Sequence, residues 1–380
     1  MYGLTLDADA AERIARGAAA FEAPAGIEPG RPVRLLGPAG EVVGAGIADP
    51  ENDVVRVWSR EPTAAFDAAF FRRRAEGAVA LRRALGLAGA YRLFHAEGDG
   101  LGGLAADAYG EFGVLYAYSR ALVGCGRLLA EALRSAAGLR GVVVKVRPRG
   151  GVKPGQVKQE IVGEEPPEKL VVEESGVPFE VHLLAGLNVG LFTDMREHRR
   201  RLGPYVAGRT VLNTFAYTGA LSVAAARAGA REVTSVDLSS GVLKWAAENF
   251  RLAGLDPERH RFEVSDVARF LKKERGRGAR YETIILDPPT FSAARAHAWS
   301  MREDYPDLIR AAADLLPEEG GFLWVSTNEV RGRSVLDHVA EGLNRRRVRL
   351  LELGGLPPDY PTPPSWPEAR YLEVAWLWVE

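Results

Sequence analysis

Asp287-Pro288-Pro289-Thr290-Phe291 is the segment with the most concentrated chemistry in the chain. Two successive prolines fix the backbone and remove two N–H donors. What remains is rich in acceptors, namely the Asp287 carboxylate and nearby carbonyl oxygens. That set suits an exocyclic amine or ring N–H of a nucleobase, and Phe291 offers a face on which a splayed base can stack. Three further segments carry polar groups at informative spacing. Asn213-Thr214-Phe215-Ala216-Tyr217-Thr218-Gly219 ends in a glycine that allows a sharp turn and a close ligand approach. Asp237-Leu238 follows eighteen residues after that glycine, and Ser265-Asp266 comes later still.

The elements around these segments explain why they would meet. TVLNTFA, EVTSVDL, RFEVSD, YETIILDPP and GGFLWVSTN read as strands. ALSVAAARAG, SGVLKWAAENFRLAG and the stretch from Asp304 to Leu316 read as helices. This alternation predicts a parallel, doubly wound sheet, in which ligands bind beyond the carboxyl ends of the strands. Each chemical segment falls at such an end. Asp237 is then placed to accept from two ribose hydroxyls, and Asp266 from an adenine amino group. The first turn lacks G-x-G-x-x-G and carries bulky residues, so a pyrophosphate would fit poorly. S-adenosyl-L-methionine has the ribose and the adenine without phosphates, and it suits this turn. No P-loop is present.

Upstream, RPVRLLG, GEVVGAGIA and DVVRVWS between about residues 30 and 60 read as short strands of a small barrel-like module. A helix is expected from about Ala64 to Leu85, then strands around Leu104, Gly113–Tyr118 and Val142–Val146, with a helix before the last. Gly150 to Pro167 reads as a loop.

The 380 residues suggest two or three domains. Lys plus Arg number 49 against 50 Asp plus Glu, a net charge of −1. Any nucleic-acid contact must therefore come from local basic clusters such as Arg72–Arg74 or Arg196–Arg201. The single cysteine, Cys125, excludes an intramolecular disulfide and a cysteine-ligated zinc site; no metal is expected. No apolar run is long enough for a membrane span and the N-terminus does not resemble a secretory signal, so a cytoplasmic protein is expected.

NTFAYTGALS, VDLS, AAENF, SD and LDPPTF, in this order, resemble the class I RNA base methyltransferases. With YRLFHAEGDGLGGLAAD and GLNVGLFTDMREHRR, the chain is similar from about residue 25 to 375 to the large-subunit ribosomal RNA methyltransferase family with an N-terminal PUA domain. The resemblance implies a PUA-like RNA-binding barrel in residues 1–65, a central α+β domain in 66–175 and a Rossmann-like methyltransferase domain in 176–380. It implies S-adenosyl-L-methionine as methyl donor, S-adenosyl-L-homocysteine as product, large-subunit ribosomal RNA as partner and a homodimer. By position, Phe192, Asp194 and Arg196 would lie near the donor, with Asn213, Phe215, Tyr217, Thr218, Gly219, Asp237, Leu238, Ser265, Asp266 and Asp287. Arg199, Arg200 and Phe291 would face RNA. Asp287, Pro288, Pro289 and Phe291 would face the reacting base.

Two departures leave the target base open. Thr327 stands where cytosine-5 members of the family carry a cysteine nucleophile, and DPPTFS with Ser326-Thr327-Asn328 is similar to the ribosomal RNA guanine methyltransferases. Tyr360 stands where a histidine is usual. A donor-binding RNA assembly factor without turnover and a methyltransferase acting on something other than RNA also stay open. Methyl transfer to RNA separates these readings.

Overall fold

The computed structural model describes residues 2–24, 26–61, 64–151, 157–289, 291–294, 297–328, 333–366 and 369–380, with backbone alone at 291–294 and 297–302. It divides into two units. One comprises Met1–Glu174, Val181–Val189 and Pro358–Ala369; the other comprises Ser175–Glu180, Gly190–Pro357 and Arg370–Glu380.

The first unit begins with β1 (Tyr2–Thr5), α1 (Ala8–Ala15), β2 (Ala20–Glu22), β3 (Pro32–Leu36), β4 (Val42–Asp49) and β5 (Val54–Ser59). These strands form one mixed sheet in the order β1-β3-β4-β5-β2. Asp7 caps α1 by accepting from the Ala10 amide, and Ile14 turns into a core with Val33, Leu35, Ala48 and Val55. Then come α2 (Ala68–Ala84), β6 (Ala90–His95), β7 (Leu104–Tyr109), β8 (Phe112–Ala117), α3 (Val123–Ala137), β9 (Gly141–Val146) and β10 (Gln159–Gly163). They build a second sheet, ordered β10-β9-β8-β7-β6. Strand β10 corrects the expectation of a continuous loop from Gly150 to Pro167. It pairs antiparallel with β9, yet only Val162 of its five residues is buried. An edge strand with one inward side chain leaves almost no alternation for a sequence reader to see.

Two short strands, β11 (Leu170–Glu174) and β12 (Val177–Val181), span the point where the chain passes between units. The second unit continues with α4 (Arg196–Arg200), α5 (Gly203–Val206), β13 (Thr210–Thr214), α6 (Ala220–Arg227), β14 (Glu232–Asp237), α7 (Ser240–Leu252), β15 (Arg261–Val264), α8 (Val267–Gly276) and β16 (Thr283–Leu286). A hairpin of β17 (Phe291–Ala294) and β18 (His297–Ser300) precedes α9 (Met301–Ala313), β19 (Gly321–Thr327), α10 (Val335–Gly342), β20 (Val348–Gly355) and β21 (Glu373–Val379).

The main sheet of this unit runs β15-β14-β13-β16-β19-β21-β20. Its first five strands are parallel, as the alternation of strands and helices predicts, and β21 enters antiparallel beside β19. Order reverses between β13 and β16, the switch point at which doubly wound sheets open a crevice. Leu212, Ile284, Leu286, Leu323 and Val325 of the central strands are fully buried and pack with Phe270 of α8 and Ile309 of α9. That core holds the strands' carboxyl ends in fixed register.

Candidate functional site

The turn after β13 is tightly wound. Phe215 and Tyr217 hold φ of 54° and 49°, left-handed values that cost non-glycine residues energy. Gly219 follows at φ 76°. A Cβ there would lie 2.7 Å from that of Ala246 on α7, so glycine is required both for the turn and for the packing of α6 on α7.

Asp237 sits at the end of β14 as expected, and backbone amides aim its carboxylate. Tyr217 N–H donates to Oδ2 and Ser239 N–H to Oδ1, each at 3.0 Å. A carboxylate oxygen accepts more than one hydrogen bond, so both retain capacity for hydroxyl donors. Beside it the surface turns apolar. Leu238 is 54% exposed, and Val264, the register partner of Asp237 on β15, is 57% exposed. Side chains of this size left open at two adjacent strand ends offer a flat heterocycle a surface. Asp266 caps α8, accepting from the Arg269 amide through Oδ1 at 2.9 Å, and Ser265 Oγ donates to the Asp266 carbonyl.

Two predicted residues are engaged inside the fold. Asn213 is buried and donates to Ser222 Oγ at 2.8 Å, which in turn accepts from Ser235 Oγ at 2.7 Å. It joins β13, α6 and β14 rather than facing the crevice. Thr218 is buried, with its hydroxyl donating to the Gly190 carbonyl. Asn249 Nδ2 donates to the Thr218 carbonyl while its Oδ1 accepts from Glu180 N–H, both at 2.8 Å. Trp245 Nε1 donates to the Glu180 carbonyl at 3.0 Å. Thr218 thus couples the turn to the Gly190 segment. Asn249 and Trp245 complete that coupling; AAENF and LKW carried them in plain view, but no chemical signal set them apart from ordinary helix residues.

The Phe192–Arg200 motif lies with this constellation. Phe192 is 46% exposed, with its ring 5.4 Å from that of Tyr217, which is 6.4 Å from Trp245. Burial pushes the Tyr217 hydroxyl up to about 12. Asp194 accepts from the Tyr371 hydroxyl at 2.9 Å. Arg196 is buried, with Nε 3.5 Å from Glu197. Arg199, expected to face RNA, is buried and donates to the Phe192 carbonyl at 2.7 Å. Arg200 is the exposed arginine of the motif and pairs with Glu197 at 2.8 Å.

At the end of β16, Asp287 Oδ1 accepts from Ser326 Oγ of β19. Among the described residues Oδ2 has no hydrogen-bond partner. Tyr305 of α9 donates to the Ser326 carbonyl at 2.8 Å and the Leu286 carbonyl at 3.3 Å, which ties the two strand ends together. Burial raises the Asp287 carboxyl to about 6. The Ser326 hydroxyl opposes the shift, Asp194 adds to it and Arg199 opposes it. Ser326, Tyr305 and Tyr371 were not read as site residues from the sequence. Pro288 is buried and Pro289 exposed. The Phe291 side chain, read as a stacking face, lies outside the described residues, as does Thr290. Thr327, next to Ser326, is buried.

Comparison with known proteins agrees with this geometry. The family model for S-adenosylmethionine-dependent methyltransferases matches residues 121–364. The chain belongs to that family. It is similar to the Ribosomal RNA large subunit methyltransferase I of Aliivibrio fischeri, 31% identical over 91% of this chain and 90% of the relative. The protein of that name from Aeromonas salmonicida is 33% identical over 84% of this chain and 82% of its own length. Among solved structures, SMU.776 in complex with SAH matches with a TM-score of 0.90 at 28% identity, covering all of both chains. The donor is therefore S-adenosyl-L-methionine. Among the described residues no cluster of metal-ligating side chains occurs, and no helix is long and apolar enough to cross a membrane.

Proposed function

We propose that this chain transfers the methyl group of S-adenosyl-L-methionine to a base of large-subunit ribosomal RNA. The observation that carries the reading is the two-amide cradle of Asp237 beside exposed Leu238 and Val264. It supports a ribose and an adenine without asking for a phosphate site. The relatives' names supply the RNA. In this reading Asp237 accepts the ribose hydroxyls, Ser265 and the open oxygen of Asp266 meet the adenine edge, and the turn from Phe215 to Gly219 holds the amino-acid end. Phe192, Asp194 and Arg196 close over the donor. The donor supplies an electrophilic methyl group on a sulfonium; Asp287 and the Pro288-Pro289 carbonyls hold the base that receives it. Arg200 and the five-stranded module of the first 65 residues, read as PUA-like, contact RNA. The reading includes a cytoplasmic homodimer, which sedimentation would check.

Two measurements test it together. Titration with S-adenosyl-L-homocysteine should show one site per chain, lost in Asp237→Ala. Tritium from methyl-labelled donor should enter undermodified large-subunit ribosomal RNA. Binding without transfer to this RNA would refute the reading.

A further inference from the structure

The proposed reaction leaves open which atom of the base receives the methyl group, and the side chains of the catalytic unit narrow the choice. Carbon 5 of a pyrimidine becomes nucleophilic only after a nucleophile adds at carbon 6, a step that enzymes perform with a thiolate. The chain has one cysteine. Cys125 lies on α3 of the first unit, half-buried and packed against that unit's core of Phe71, Leu104, Leu129 and Leu133. Burial pushes its thiol up to about 11, so it is a thiol at neutral pH. The second unit holds no cysteine at all. Beside Asp287, β19 ends in the hydroxyls of Ser326 and Thr327, and Ser326 is already engaged as the donor to Asp287.

What the unit does hold is a carboxylate with one oxygen fixed and one open. Ser326 takes Asp287 Oδ1, Tyr305 pins both flanking strand ends, and the following prolines contribute carbonyls without competing donors. Resting on the reading of an RNA methyltransferase, we infer that this site methylates a base nitrogen without a covalent adduct, with Asp287 as the acceptor of the nitrogen's hydrogen. The nitrogen lone pair attacks the methyl carbon. The new nitrogen–carbon bond forms as the carbon–sulfur bond breaks, and its electron pair returns to sulfur, neutralising the sulfonium. The nitrogen, now carrying a formal positive charge, gives its proton to the open Asp287 oxygen. Atoms and charge balance, and no further reactant is needed. Its partial neutralisation by burial places this carboxylate where it can both take the proton and release it to solvent before the next turnover. Asp287 is then a catalytic residue.

The test uses the full chain with undermodified large-subunit ribosomal RNA and, in parallel, a transcript of it made with 5-fluorocytidine. Nuclease digestion and nucleoside mass spectrometry should place the label on an N-methylated purine or an exocyclic amine. The fluorinated transcript should give no protein–RNA complex that survives denaturing electrophoresis. Cys125→Ser should retain methyl transfer within about twofold. Asp287→Asn should lose at least about 100-fold in transfer rate while binding S-adenosyl-L-homocysteine within about threefold of the unaltered chain. Labelled 5-methylcytidine, or a denaturation-stable complex, would overturn the inference and leave the RNA reading standing. Absence of label from every base of the RNA would overturn both.

Discussion

A buried ionic cluster in the first unit and the half-buried strand-end carboxylates of the second handle charge in opposite ways. In the first, ionic side chains satisfy one another. Arg82, 1% exposed, grips Asp99 through both terminal nitrogens at 2.7 and 2.8 Å and donates to the carbonyls of Arg92 and Asp359. Arg92 pairs with Asp107 at 2.8 Å, and its amide donates to the Asp359 carboxylate. His95, in the same cluster, is driven down to about 2 by burial and by the charges of Arg92 and Arg82, so it stays neutral. In the second unit the strand-end carboxylates are aimed by amides and hydroxyls, neutral donors that orient without neutralising. Asp237 and Asp287 keep the capacity to accept a further hydrogen bond. The contrast teaches that a sheltered carboxylate is functional or structural according to what satisfies it, and the degree of shelter alone does not distinguish the two.

Four experiments sharpen or break this comparison. The largest effect should follow Arg82→Ala, which leaves Asp99 buried without its cation and should destabilise the first unit by about 3–5 kcal/mol in urea unfolding. A loss below about 1 kcal/mol would mean the network is incidental. Asp237→Ala should raise the dissociation constant for S-adenosyl-L-homocysteine by on the order of 100-fold by calorimetry, from the loss of two charge-assisted hydrogen bonds. An unchanged constant would remove Asp237 from the binding site.

Gly219→Ala should cost about 1–3 kcal/mol, since the new methyl group meets Ala246 in a left-handed backbone. Wild-type thermal stability in this variant would show that α6 can shift. The fourth experiment concerns pH. The Asp287 carboxyl ionises near 6 in the folded chain, above its ordinary value of 3.8. Folded protein therefore binds more protons than unfolded between those values, and this group costs stability as pH rises through about 6. Methyl transfer, which needs the ionised form, should rise over the same interval. Asp194, Arg199 and Tyr305 face this carboxyl, and the first two also set its position. Asp287→Asn should flatten the stability difference between pH 5 and pH 7.5 by a degree or two in melting temperature. A profile as steep as that of the unaltered chain would assign the titration to another group.

Much of the catalytic unit was legible because its cues are local. Alternating apolar strands and helices gave the parallel order, the glycine gave the turn, and an acid at the end of β14 gave Asp237. The roles of Asn213, Thr218 and Arg199 were not legible, because each depends on a partner brought near by the fold. Thr218 meets a carbonyl 28 residues away, and Arg199 turns inward although its neighbour Arg200 faces water. In a short helix, adjacent arginines point in different directions, and sequence spacing alone does not say which one is buried. Strands β20 and β21, which complete the main sheet, were missed. They lie at its antiparallel edge, where Leu350, Leu351 and Leu353 remain exposed and blur the alternation.

Gly190 makes a last point. A Cβ at this position would lie 2.4 Å from the Trp245 ring, and its φ is 112°. The indole occupies the space that any other residue at 190 would need. Related chains should therefore vary here as a pair or not at all: a larger residue at 190 should be found only with a smaller ring at 245. In the laboratory a smaller ring at 245 should relieve the clash at 190 but not the strain of its left-handed backbone, so the double variant should recover only part of what the substitution at 190 loses.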